Sequence, residues 1–303
     1  MIFLLPVVIQ AQTAFTAPSI KIEYDSALTV CNLQLIPLKR TEIILPTDTV
    51  IHLQTISLKQ GLQNKTVTIR ERGNYMLENI NVLVIENRTG KDLVIKSGEI
   101  VTGGRQDRVF ARDTILSTSS KPHTVPVYCI EEDRWSRTEK KFIYRGTISS
   151  GLQKIIDSAH NQTVVWDEIR KLLKQNNQTQ SQSYAALLVN KKLADTATRC
   201  IAQLFYRLRS ADSSYTGFIA ITGNRILGAE LFINPSLFYQ TLSSLLEKYG
   251  SEAALSGTAP SIPREQIERY ANDLLTPSTQ DNFIQKHGKR FFYRGVLIQL
   301  SAY

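Results

Sequence analysis

Gly217-Phe-Ile-Ala-Ile-Thr222, the pair Gly223-Asn224, and Arg225-Ile-Leu-Gly-Ala-Glu-Leu-Phe232 form the stretch on which the fold class turns. Two apolar runs around a glycine–asparagine pair read as a β-hairpin, because a two-residue connection needs backbone angles that these residues adopt at least cost. Helical patterns lie on both sides. Before the hairpin, Leu193, Ala197, Ile201, Leu204, Phe205 and Leu208 recur on one helix face. After it, Asn234 and Pro235 read as the cap and first position of a helix that stops near Gly250.

Further out, the period changes at Thr147. Upstream, Leu28 to Leu38 and Val67 to Arg70 largely alternate apolar and polar residues, as half-buried strands do. Asn81 to Glu86, Leu93 to Lys96, Val109 to Leu116, Val125 to Ile130 and Lys141 to Arg145 read as further short strands, with Asn87-Arg-Thr-Gly90 as a hairpin connection. Thr55 to Gly61 reads as a short helical turn capped by its glycine. Downstream, Leu152, Ile155, Ile156 and Ala159 share a helix face, and Val165, Trp166, Ile169, Leu172 and Leu173 mark a helix opening near Asn161. Gln175 to Ser183 is a polar loop, another helix begins at Pro263, and Arg290 to Leu300 is a closing strand. The predicted class is α+β, with mostly antiparallel short strands in a β-rich half (20–147) and a mixed helix/hairpin half (148–303). The two halves are expected to fold as one domain, 20–303, with the Gly103 loop near their junction.

The 303 residues are 42% hydrophobic and 21% charged, enough to bury a full core. A net charge of +9 favours anionic partners, yet no basic run exceeds two residues and no zinc-finger or RNA-binding pattern is present, so nucleic acid is not the expected partner. Met1 to Gln12 is apolar, too short to span a bilayer, and of the length of a signal peptide, although it lacks the usual positive start. A buried N-terminal strand is the competing reading. A signal peptide implies export to the periplasm or the exterior; without one the protein is cytoplasmic. Cys31, Cys129 and Cys200 have no metal-ligand spacing; export permits one bridge and leaves one thiol over. Cys129, in an apolar run, reads as a small buried hydrophobe.

Chemistry-bearing residues concentrate between Val82 and Trp135, where Arg88, Arg105, Arg108, Arg112 and Arg134 crowd around Gly103-Gly104. Two glycines can turn successive amide hydrogens toward an anion. Arg105, Arg108 and Arg134 then offer forked hydrogen bonds, Gln106 an orienting amide, and Trp135 a face for a base or sugar. The same residues also make a structural network if Arg105 or Arg108 pairs with Glu131. A hydrolase would use two carboxylates among Glu99, Asp107, Glu131 and Glu132, one raised in pKa by burial and one kept ionised by an arginine. His52, His123, His160 and His287 are scattered without ligand spacing, and no serine-hydrolase elbow, P-loop or dinucleotide fingerprint occurs, so neither metal nor cofactor is expected. Phe142, Tyr144, Phe291, Phe292 and Tyr293 lie among basic residues, as on a stacking platform or on strands with basic outer faces.

Ile85-Glu-Asn-Arg88, Gly98-Glu-Ile-Val-Thr-Gly-Gly-Arg-Gln-Asp-Arg108 and Val127-Tyr-Cys-Ile-Glu-Glu-Asp-Arg-Trp135 resemble the domain named for its association with ADP-ribosylglycohydrolases and rhodanese-phosphatase proteins. The likeness continues more weakly through Gln162–Trp166 and Gly217–Tyr249. The resemblance implies a link to ADP-ribose or other phosphorylated nucleotides, and brings no reaction with it. Three functions follow: a binding domain for an anionic ligand at the Gly103–Arg108 cluster, a hydrolase of such a ligand, and an interaction module of the cell envelope.

Overall fold

The computed structural model describes residues 15–17, 19–41, 54–73, 79–119, 121–159, 161–189 and 191–303, the side chains at 191–194 and 196 excepted. Met1 to Gln12, His52 and His160 lie outside the described residues. In chain order the first elements are β1 (Ile20–Ile22), β2 (Leu28–Val30), β3 (Leu33–Arg40), β4 (Thr55–Ser57), α1 (Leu58–Gln63) and β5 (Val67–Glu71). The central strands are β6 (Val82–Asn87), β7 (Asp92–Ile95), β8 (Glu99–Gly104), β9 (Arg108–Phe110), β10 (Thr114–Leu116), β11 (His123–Cys129) and β12 (Lys140–Thr147). Then come α2 (Ser150–Ser158), α3 (Gln162–Gln175), α4 (Ala185–Val189), α5 (Lys191–Ala211), β13 (Tyr215–Thr222), β14 (Arg225–Phe232) and α6 (Pro235–Ser256). The chain closes with α7 (Arg264–Leu275), α8 (Pro277–His287), β15 (Gly288–Tyr293) and β16 (Val296–Ala302). The class is α+β with antiparallel sheets. Among the described residues no helix is long and apolar enough to cross a membrane.

These elements form two compact units: Met1–His52 with Cys200–Leu242 and Ser256–Tyr303, and Leu53–Arg199 with Ser243–Leu255. The first unit carries an antiparallel sheet ordered β1-β3-β13-β14-β16-β15, with β2 paired to β3. Every residue of β13 is buried, which is why this strand reads as a continuous apolar run. Thr222 pairs with Arg225 across the Gly223-Asn224 turn, and Gly223 takes φ +52°, the left-handed conformation such turns require. Cys31, at the β2–β3 turn, is disulfide-bonded to Cys200. Asn234 caps α6, its Oδ1 accepting from the Leu237 amide at 2.9 Å.

Two boundaries in the C-terminal half differ from the sequence reading. Gly250 lies inside α6, which continues to Ser256; burial of Ala253 in the next turn offsets the roughly 1 kcal/mol that a mid-helix glycine costs. The closing strand is a hairpin, β15 and β16, broken where Arg294 and Gly295 both take positive φ.

The second unit holds a six-stranded antiparallel sheet, β12-β8-β9-β11-β6-β5, and a three-stranded one, β10-β7-β4, in which β4 and β7 run parallel. One apolar cluster joins Leu58, Ile69, Ile85, Ile95, Val101 and Phe110, and another packs Ile100, Val109 and Ile130 against Leu152, Ile156, Val165 and Ile169 of α2 and α3. Asn161 caps α3 through its Oδ1 and the Val164 amide.

Three local readings change here. Asn87–Gly90 is no hairpin, because β6 and β7 belong to different sheets. The buried Asn87 side chain stitches that crossing, donating to the Lys91 and Leu116 carbonyls and accepting from the Thr89 amide and hydroxyl. Val109–Leu116 likewise divides into β9 and β10, one in each sheet. Gly61 sits within α1 rather than capping it, and a Cβ there would stand 2.5 Å from Val67 Cγ2; Asn64 is the cap.

Candidate functional site

Two polar centres lie in the second unit, at opposite ends of β8. At its C-terminal end Gly103 and Gly104 take φ +125° and +51°. A Cβ on Gly104 would meet Phe142 Cζ at 2.1 Å and Glu71 Oε1 at 2.7 Å. Glycine there admits the Glu71 carboxylate, which accepts from the Arg105 amide at 3.1 Å. The Gly103 amide is met by Asp107 Oδ1, also at 3.1 Å. The amides that sequence reasoning aimed at an anion are thus held by the chain's own acids.

The guanidinium groups are engaged in the same way. Arg108 is wholly buried; Nη2 lies 3.4 and 3.5 Å from the Glu71 carboxylate oxygens, Nη1 donates to Gln106 Oε1 at 3.0 Å, and Cζ is 5.7 Å from the Trp135 ring centroid. Arg105 Nη1 donates to the Ser136 and Arg137 carbonyls, and Gln106 Nε2 to the Glu131 carbonyl. Arg134, whose side chain is 34% exposed, donates to Asp107 at 3.0 Å, to Glu131 at 2.5 Å and to the Arg105 carbonyl at 3.3 Å. Burial raises the Asp107 carboxyl above its ordinary range, against the lowering effect of the Gly103 amide. Gly103, Gly104, Arg105, Gln106, Asp107, Arg108, Glu131, Arg134 and Trp135 therefore come together as predicted neighbours, with Glu71, Asp107 and Glu131 set against the three arginines. Glu132 pairs instead with Arg170, and Arg88 with Glu86.

At the N-terminal end of β8, Glu99 is 1% exposed. Its Oε2 accepts from the Lys96 amide at 2.9 Å, and its Oε1 from Ser244 Oγ on α6 at 2.8 Å. Burial pushes its carboxyl up to about 7; those two hydrogen bonds oppose the rise, and the charge of Glu247 adds to it. One helical turn beyond Ser244, Glu247 Oε2 accepts from Tyr144 Oη at 2.8 Å, and its Oε1 lies 2.9 Å from Lys59 Nζ. Lys59 also stands over the Tyr144 ring, 5.7 Å from its centroid. Thr147, paired with Glu99 across β8 and β12, lies 3.4 Å from Tyr144 Oη. Burial holds the Tyr144 phenol well above its ordinary value, with Glu99 and Glu247 adding to the effect. The arrangement runs from a buried acid to a carboxylate of 18% side-chain exposure and a lysine of 37%.

Of this second centre the sequence names Glu99 as a candidate acid and Tyr144 only as a candidate stacking aromatic. Lys59, Ser244 and Glu247 are not among the sequence candidates, although the spacing of Ser244 and Glu247, on one face of a helix otherwise apolar at Leu242, Leu245, Leu246 and Tyr249, is a usable signal. Cys129 is buried and burial pushes its thiol up to about 11, so it is no nucleophile at neutral pH. Among the described residues no group of three histidine, cysteine or acidic side chains could hold a metal ion.

Mostly antiparallel sheets with helical cover, an arginine–acid network at one end of β8 and a buried carboxyl bonded to Ser244 at the other define an α+β protein. The chain belongs to the ARG and rhodanese-phosphatase-superfamily-associated protein domain family, whose profile matches residues 21–299. No curated protein and no solved structure matches it.

Proposed function

We propose that the second unit is an acid–base hydrolase in which Glu99 and Glu247 are the paired carboxyls. The observation that carries this reading is their unlike settings: Glu99 is buried with neutral donors, whereas Glu247 is ion-paired with Lys59 and accepts from Tyr144. Two carboxyls in contrasting environments divide into proton donor and proton acceptor. In the proposed step Glu247 takes a proton from water as the water oxygen bonds to the substrate. The leaving oxygen or nitrogen takes the Glu99 proton through the Ser244 hydroxyl as its bond breaks. Transfer through Tyr144 and Ser244 restores both carboxyls, and water is the sole co-reactant. The test is turnover of ADP-ribose, nucleotides and acidic sugars by the parent, Glu99→Gln and Glu247→Gln chains. Each variant is expected to lose about 100-fold or more in kcat/KM; no turnover by the parent, or turnover by either variant equal to the parent's, overturns the reading.

A second reading, an anionic ligand bound at the diglycine bend, is favoured by the exposed outer part of Arg134 beside the half-buried Trp135. Thermal-shift screening of the same compounds against Arg134→Ala tests it. Export to an oxidising compartment is part of the proposal, supported by the Cys31–Cys200 disulfide. Its measure is the fraction of the protein recovered outside the cytoplasm.

A further inference from the structure

Arg40 closes β3 opposite Ile20 of β1 in the first unit. Its Cζ lies 5.5 Å from the ring centroid of Phe15, which is fully buried. Both Nε and Nη2 are enclosed with no hydrogen-bond acceptor among the described residues. Those two nitrogens form the side-on edge of a guanidinium, whose parallel N–H groups match two oxygens of a carboxylate or phosphate. The group keeps its charge at physiological pH, so the enclosed edge leaves positive charge where it is expensive to leave unmet.

Two other enclosed cations meet an acid, although Arg108 Nε also lacks an acceptor among the described residues. Arg108 faces Glu71, and Lys96 Nζ lies 2.7 Å from Asp113. The Arg40 pKa is lowered to about 10 by burial, with no acidic side chain among the described residues offsetting it. A second guanidinium flanks the same element: Gln280 Nε2 donates to the Phe15 carbonyl at 2.8 Å, while its Oε1 accepts from Arg290 Nη2 at 3.5 Å. Arg290 Nε is also enclosed without an acceptor among the described residues, although Nη2 reaches Asp281.

We propose that the Nε/Nη2 edge of Arg40, beside Phe15, is the receptor of a site for a small oxyanion, the carboxylate or phosphate group of a larger molecule. The site is independent of the acid–base centre, and its test needs no turnover, so either reading can fail alone. The full chain is titrated with inorganic phosphate in one arm and acetate in the other, at constant ionic strength in chloride, by calorimetry and thermal melting. At least one anion is expected to raise the melting midpoint by about 3 °C or more at saturation. Arg40→Met is expected to abolish binding. Arg40→Lys, which keeps the charge and loses the fork, is expected to weaken it about tenfold. Binding in one arm alone assigns that oxyanion. Failure of both anions to bind, or undiminished binding by Arg40→Met, overturns the proposal.

Discussion

The second unit buries one guanidinium whole and the first encloses one edge of another, and they do so in opposite ways. In the second unit Arg108 meets Glu71 and Gln106 under the Trp135 ring. In the first, Arg40 has an aromatic ring and no acceptor for two of its nitrogens among the described residues. Burial of an arginine is therefore not itself a sign of a ligand; what distinguishes the two is whether the protein supplies the counter-charge. The arginine-rich bend that dominates the sequence meets its own acids, and the arginine at the end of β3 meets none among the described residues.

The strongest way to break this comparison is to strip Arg108 of its partner. Glu71→Ala is expected to cost about 3–5 kcal/mol, because a buried charge is left uncompensated; a loss in urea denaturation no larger than that of a surface change would show the pairing to be incidental. Within the first unit, the Cys31–Cys200 bridge closes a long loop, and Cys31→Ser is expected to lose roughly 2–4 kcal/mol, read by melting with and without reductant.

The acid–base centre sharpens the contrast through pH. Glu99 has a folded pKa of about 7 against an ordinary value of 4.5, so the folded chain keeps a proton that the unfolded chain has already released. Its stabilising contribution is complete below the unfolded value and is lost as pH rises through the folded one. Between about pH 5 and pH 8 the loss is about 2–3 kcal/mol, and Glu99→Gln is expected to flatten that part of the stability profile; an unaltered slope would place the titration elsewhere. The smallest effect has the opposite sign. Arg40→Met is expected to gain about 1 kcal/mol in anion-free buffer, since it removes an enclosed, unanswered charge. A loss of stability there would reveal a counter-charge for Arg40 and erase the difference from Arg108.

Much of the fold was legible from pattern. The Gly223-Asn224 hairpin, the Asn161 and Asn234 caps and most strands of the second unit follow from period and turn chemistry that act within a few residues. Errors clustered where a longer-range contact outweighed a local signal. Gly61 and Gly250 read locally as helix ends, yet close packing against Val67 and burial of Ala253 keep both inside helices. Asn87–Gly90 has the composition of a hairpin turn, yet its buried asparagine binds Leu116 and sends the chain to another sheet. Helix α8 was missed because its apolar residues are few, with Ile284 buried beside the polar Gln280.

The candidate site divides along the same line. By itself the sequence determined the α+β class, the hairpin, the concentration of arginines and acids around Gly103-Gly104, and Glu99 as one acid to watch. Those follow from local periodicity and from residue types that few backbone positions tolerate. Only the tertiary structure decided that Glu71 answers Arg108, that Ser244 and Glu247 reach Glu99 and Tyr144 from a distant helix, and that two Arg40 nitrogens have no acceptor among the described residues. Charge compensation depends on distances of a few ångströms between residues far apart in the chain, and spacing along a sequence does not encode them.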